Sequence, residues 1–95
     1  MKMSEKTVRK RYQLYGRVQG VGLRYTAKYS ASRYGLTGWV RNEYDGSVTL
    51  EVQGTESGIA AMMEDLHEGR FIEIDEMVTT KLTADPEERS FRVRG

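Results

Sequence analysis

The chain has 95 residues, no cysteine and one histidine, and its 15 basic and 14 acidic side chains leave a formal net charge of +1. These counts exclude a disulfide scaffold, a thiolate nucleophile and a first-row metal centre of ordinary composition, and the charge argues neither for nor against nucleic acid. Residues 1–95 are expected to form one domain, with residues 1–6 as a tail. Met1–Lys6 lacks the apolar centre of a signal peptide, and no apolar run approaches the ~20 residues of a membrane span. A cytoplasmic protein is the expectation.

In chain order, Val8–Arg17 reads as a first strand, with Tyr12 and Leu14 alternating with polar neighbours. The basic residues Lys2, Lys6, Arg9, Lys10 and Arg11 allow a nucleic-acid or anion-steering arm, but a solvated tail leading into an edge of the sheet is the favoured reading. Arg24–Tyr34 reads as a helix whose Leu23, Ala27, Ala31 and Tyr34 share one side. Gly35 suits its C-terminal cap, and Leu36 can supply the accompanying apolar contact. Thr37–Asn42 and Ser47–Gln53 read as strands around a turn ending in Asp45-Gly46. In the second of them, Val48, Leu50 and Val52 face one way and Thr49, Glu51 and Gln53 the other.

Thr55–Glu68 reads as a second helix with an apolar stripe of Ile59, Met62, Met63 and Leu66, ended by Gly69. Phe71–Leu82 supplies a fourth strand, Asp85-Pro86 a turn, and Phe91 and Val93 a short last strand. The βαββαβ order predicts an α+β protein: a ferredoxin-like two-layer sandwich, an antiparallel sheet with two helices on one face.

Between the first strand and the first helix, Gly16-Arg17-Val18-Gln19-Gly20-Val21-Gly22-Leu23-Arg24 packs three glycines before an arginine. Glycines let successive N–H groups turn toward one point, and such a concavity at a helix N-terminus binds anions. A Walker loop is excluded, because Gly20 is followed by Val21 and Gly22 by Leu23 where Lys-Ser/Thr is needed. A dinucleotide fingerprint is excluded by Tyr25 at the place of its third glycine. Arg24 opposes the helix dipole, which suggests an anion beside it. His67 reads as a cation at a helix C-terminus, and Trp39 as a half-exposed strand aromatic.

The Gly16–Arg24 loop has the form Gly-x-Val-Gln-Gly-Val-x-x-Arg, and Gly38-Trp39-Val40-Arg41-Asn42 precedes a glycine turn and a valine-bearing strand. Together these two motifs resemble the acylphosphatase family over most of the chain. Leu23 stands where the family usually has phenylalanine, and Arg70 where a proline is common. The resemblance implies the ferredoxin-like fold. It also implies hydrolysis of the carboxyl–phosphate bond of acyl phosphates to a carboxylate and inorganic phosphate, with catalytic roles at Arg24 and Asn42.

The residues themselves agree with that chemistry. The motifs hold an arginine, backbone amides and an asparagine, but no strong base. Such a site can neutralise a phosphoryl group and position water, and the leaving group of an acyl phosphate is a carboxylate, which departs without protonation. The expected phosphate-binding amides run over Gln19, Gly20, Val21, Gly22 and Leu23. Arg24 grips the same group, Asn42 orients the attacking water, and a phosphate oxygen of the substrate takes the proton. No metal or cofactor is expected, and the expected state is a monomer acting on a small molecule without nucleic acid or membrane.

Two rival readings stand beside this one. The same fold hosts RNA-binding domains, but those stack bases on aromatics of the central strands. Here that face of the third strand carries Thr49, Glu51 and Gln53, and Glu51 would repel a phosphate backbone. A catalytically silent anion-binding domain is the second, distinguished by phosphate binding without turnover.

Overall fold

The computed structural model describes residues 6–95. The tail expected over 1–6 therefore lies, apart from Lys6, outside the described residues. The elements are β1 (Thr7–Arg17), α1 (Leu23–Tyr34), β2 (Thr37–Asn42), β3 (Val48–Thr55), α2 (Glu56–His67), β4 (Glu73–Leu82) and β5 (Phe91–Arg94). They form one sheet in the order β4-β1-β3-β2-β5. β1–β3, β1–β4 and β2–β3 pair antiparallel, as expected. The sheet is nonetheless mixed, because β5 runs parallel to β2 with Gly38 opposite Phe91 and Arg41 opposite Arg94. Among the described residues, no helix is long and apolar enough to cross a membrane.

The period-2 pattern decides which face is covered. Tyr12 and Leu14 of β1, Val40 of β2, and Val48, Leu50 and Val52 of β3 are all buried on the helix side. They meet Leu23, Ala27 and Ala31 of α1 and Ile59, Met62 and Leu66 of α2 in one core. Small residues let the two helices approach, and Ser30 Oγ donates to Asp65 Oδ2 at 2.6 Å between them. Gly35 ends α1 at φ 67°, ψ 39°, where a β-carbon would be strained. Thr55 caps α2, its Oγ1 accepting from Gly58 N at 3.0 Å.

The opposite face of β3 is buried as well, which the alternation alone does not reveal. Thr49, Glu51 and Gln53 are each less than one-tenth exposed, as is Arg9. Over Gln53 and Arg9 the cause is the connector 83–90, which joins opposite edges of the sheet by crossing this face, whereas the Thr49 hydroxyl is held by Gln13 and Glu43. Gln53 grips it twice, donating to Asp85 O at 2.9 Å and accepting from Asp85 N at 2.7 Å. Arg9 donates to Glu88 at 2.7 Å and to Glu51 at 2.9 Å. Arg11 pairs with the other Glu51 oxygen. Arg9, Lys10 and Arg11 are therefore strand residues flanked by β3 and β4, not a solvated lead-in to a sheet edge. Glu51 is not an open carboxylate facing a ligand.

Candidate active site

The loop between β1 and α1 is pinned at both ends. Val18 and Leu23 are fully buried in the core, and Val21 packs against it from between them. Gly20 (φ 70°) and Gly22 (φ 81°) take the turns that L-residues resist. A β-carbon at either glycine would meet nothing within 4 Å, so the requirement there is conformational and not one of space. Gly22 is the N-cap of α1 and carries no capping side chain, and the first turn holds no acid. The first N–H groups of α1 are thus unspent, with the positive end of the helix dipole behind them.

Asn42 ends β2 in register with Val40, so its side chain lies on the helix side of the sheet, toward the same loop. The two segments meet around a cleft of about 480 Å³. Its walls include Gly20, Gly22, Leu23, Arg24 and Asn42. Gln19 and Val21 do not line it. Gln19 is turned instead to the β2–β3 turn, donating from Nε2 to Glu43 O at 2.7 Å and Ser47 O at 2.9 Å. That turn is closed by Glu43 N donating to Ser47 O at 2.8 Å and Ser47 N to Asp45 Oδ1 at 2.9 Å. The hydrogen bonds from Ser47 hold the Asp45 carboxyl below its usual range.

Arg24 Nη1 donates to Arg94 O at 3.4 Å, so the last strand helps hold the guanidinium at the cleft. Val93 of the same strand forms part of the wall, a contribution no motif signalled. Tyr25 and Lys28 complete the outer side. Asn42 Oδ1 is buried without a hydrogen-bond partner, and among the described residues it alone among buried side-chain polar atoms has that status. An unpaired buried acceptor costs about 1–3 kcal/mol. A ligand or water that donates to it would recover that cost.

A larger groove of about 630 Å³ lies on the other face of the sheet, where Trp39 and Arg41 stand beside Glu43 and Asp45. Trp39 carries the guanidiniums of Arg41 and Arg94, each 5.0 Å from its ring centroid. Its carboxylates set this groove apart from the cleft, whose only charged wall residues are cations. His67 lies away from both, its Nδ1 2.8 Å from Met63 O within α2. Among the described residues, no cluster of three or more His, Asp or Glu side chains could hold a metal ion.

A glycine loop feeding an uncapped helix N-terminus, beside an arginine and an asparagine with an unpaired Oδ1 on a ferredoxin-like sheet, defines an α/β sandwich whose cleft suits an anion. The sequence model of the acylphosphatase family matches residues 10–93, and the chain belongs to that family. It is 42% identical to an acylphosphatase of Bifidobacterium longum over 99% of both chains. It is 38% identical to one of Oceanobacillus iheyensis over 83% of this chain and 89% of that one. Its structure superposes on acylphosphatase from Bacillus subtilis with a TM-score of 0.84 and 29% identity, covering 93% of this chain and 99% of that one. Full-length HypF in its phosphate- and nucleotide-bound form contains a similar unit, with a TM-score of 0.85 and 27% identity over 98% of this chain and 12% of that protein.

Proposed function

We propose that this chain hydrolyses acyl phosphates to a carboxylate and inorganic phosphate, acting as a single-domain monomer without metal or cofactor. The first-turn amides of α1 and the glycine loop hold the phosphoryl oxygens. Arg24 shares those oxygens and neutralises charge as the P–O bond to the acyl group breaks. Water lies against Asn42, donating one O–H to Oδ1, with its lone pair directed at phosphorus. The acyl carboxylate leaves opposite, taking the bonding electrons, and the water's proton passes to a phosphate oxygen.

The observation that carries this reading is the orphaned Asn42 Oδ1 in the same cleft as Arg24 and Gly22. A neutral amide is too weak a base to take the proton, but it can fix the direction of attack. Fixing geometry and offering preorganised donors is most of what phosphoryl transfer asks of a protein. The good leaving group explains how the reaction proceeds without a general acid.

Release of benzoate and phosphate from benzoyl phosphate, in EDTA and with no added metal, tests the proposal. Chelator-insensitive turnover above the spontaneous rate is expected. Binding of inorganic phosphate with no turnover would replace the reading by that of a silent anion-binding domain.

A further inference from the structure

The outer part of the cleft has a chemistry of its own. Beyond the loop, Arg24 and Asn42, its wall is made by Val93, Tyr25 and Lys28. Tyr25 is 73% exposed, so its ring is available to a ligand. A cavity of about 480 Å³ has room for an acyl group beside the phosphoryl group. Its lining contains two cations and no carboxylate.

Lys28 has no partner among the described residues. Its neighbours at three and four positions along α1 are Arg24, Tyr25, Ala31 and Ser32, none of them acidic. Indeed α1 contains no acidic residue at all. The ion pairs that do occur use Arg9, Lys10, Arg11 and Arg41. Arg24 and Lys28 are four apart, so their β-carbons lie about 6 Å from each other on one helix face. Like charges at that spacing repel and weaken a helix slightly. Two unpaired cations side by side on the wall of one cleft suit a ligand with two separated negative groups.

We propose that Lys28 forms a second anion subsite that favours acyl phosphates whose acyl part carries a further negative group, a carboxylate or phosphate. This rests on the proposed acylphosphatase reaction and names its substrate class. Arg24 and the loop hold the reacting phosphoryl group. The acyl chain crosses the apolar wall, and Lys28 meets the distal anion. Because Lys28 is solvent-exposed, its contribution is modest and salt-sensitive.

The test compares benzoyl phosphate with 4-carboxybenzoyl phosphate, whose rigid ring holds the second carboxylate away from the reacting centre. For the parent and for Lys28→Arg, the ratio of kcat/KM for the carboxylated substrate to that for the plain one is expected to be similar. In Lys28→Met it is expected to fall about three- to fivefold, with the loss in KM. Lys28→Glu should lower it further, and high salt should shrink all these differences. Lys81→Met, at the far end of β4, should leave the ratio as in the parent. An unchanged ratio in Lys28→Met would overturn the proposal. An equal drop in Lys81→Met would do the same by reducing the effect to net charge. Failure of the underlying reaction is separately visible, as absence of benzoyl phosphate turnover by the parent.

Discussion

Gln19 Nε2 donates to Glu43 O at 2.7 Å, tying the glycine loop to the residue that follows Asn42. A second bond from the same nitrogen reaches Ser47 O at 2.9 Å. One side-chain amide therefore fixes the loop proposed to receive the phosphoryl group against the turn that sets the end of β2. Phosphoryl transfer is sensitive to displacements of about 1 Å between its reacting parts. Gln19 matters in this account as the clamp between the two halves of the site.

Gln19→Ala should reduce kcat/KM by about tenfold or more, although the side chain does not line the cleft. It should also lower stability by about 1–3 kcal/mol, the net worth of two hydrogen bonds, since each carbonyl keeps a backbone donor, Gly46 N on Glu43 O and Glu43 N on Ser47 O. Gln19→Glu should be worse, since a carboxylate cannot donate and would face both carbonyl oxygens. Urea titration together with benzoyl phosphate kinetics checks both effects.

Asn42 should show the opposite pattern in stability. Its buried Oδ1 has no partner, so removing it relieves an unpaid desolvation cost. Asn42→Ala is expected to melt no lower than the parent even as it loses activity. A clear drop in Tm would mean that the amide is structural.

Two glycines should respond differently to alanine. At Gly20 the methyl group meets nothing within 4 Å, and only the positive φ of 70° opposes it. A cost of about 1 kcal/mol is expected. At Gly38 the methyl group would stand 2.0 Å from Glu51 O, so the β2–β3 ladder must shift. Gly38→Ala should cost several times more, and chemical denaturation of the two variants compares them directly.

The residues that speak of the site were legible because their chemistry is local. Glycine spacing, the arginine after it and the Asp45-Gly46 turn each act within a few positions of the chain. Gly35 marked the end of α1 for the same reason. The parallel pairing of β5 was not legible, since four residues carry no sign of which edge they join. Nor was the burial of Arg9, Glu51 and Gln53, which depends on a connector 30 or more positions away. Val93 entered the cleft wall through that same distant pairing. Charged residues alternating inward on neighbouring strands were the available signal, because a buried charge requires a partner.

That buried network sets the acid response. Burial pushes the Glu51 carboxyl up, but hydrogen bonds from Arg11 and Arg9 and their charges more than offset this and hold it below its usual range. For a carboxyl whose folded pKa is depressed, the stability it contributes is present above its unfolded value. That stability is lost as pH falls through the lowered folded value. Urea stability of the parent should therefore decline below the ordinary carboxylate range. Glu51→Gln should be less stable at neutral pH by about 1–3 kcal/mol, less than for a stranded buried charge, because Arg9 keeps Glu88 and the Arg11 side chain is about half exposed. Its stability should also decline less on acidification, and equal slopes for the two proteins would contradict this assignment.

The most direct measurement of the central claim is single-site kinetics on Asn42→Ala with benzoyl phosphate, paired with inhibition by inorganic phosphate. The account predicts a fall in kcat of about 10²–10³, while the inhibition constant for phosphate stays close to that of the parent. Near-normal turnover in Asn42→Ala would contradict the role given to its side chain in orienting water.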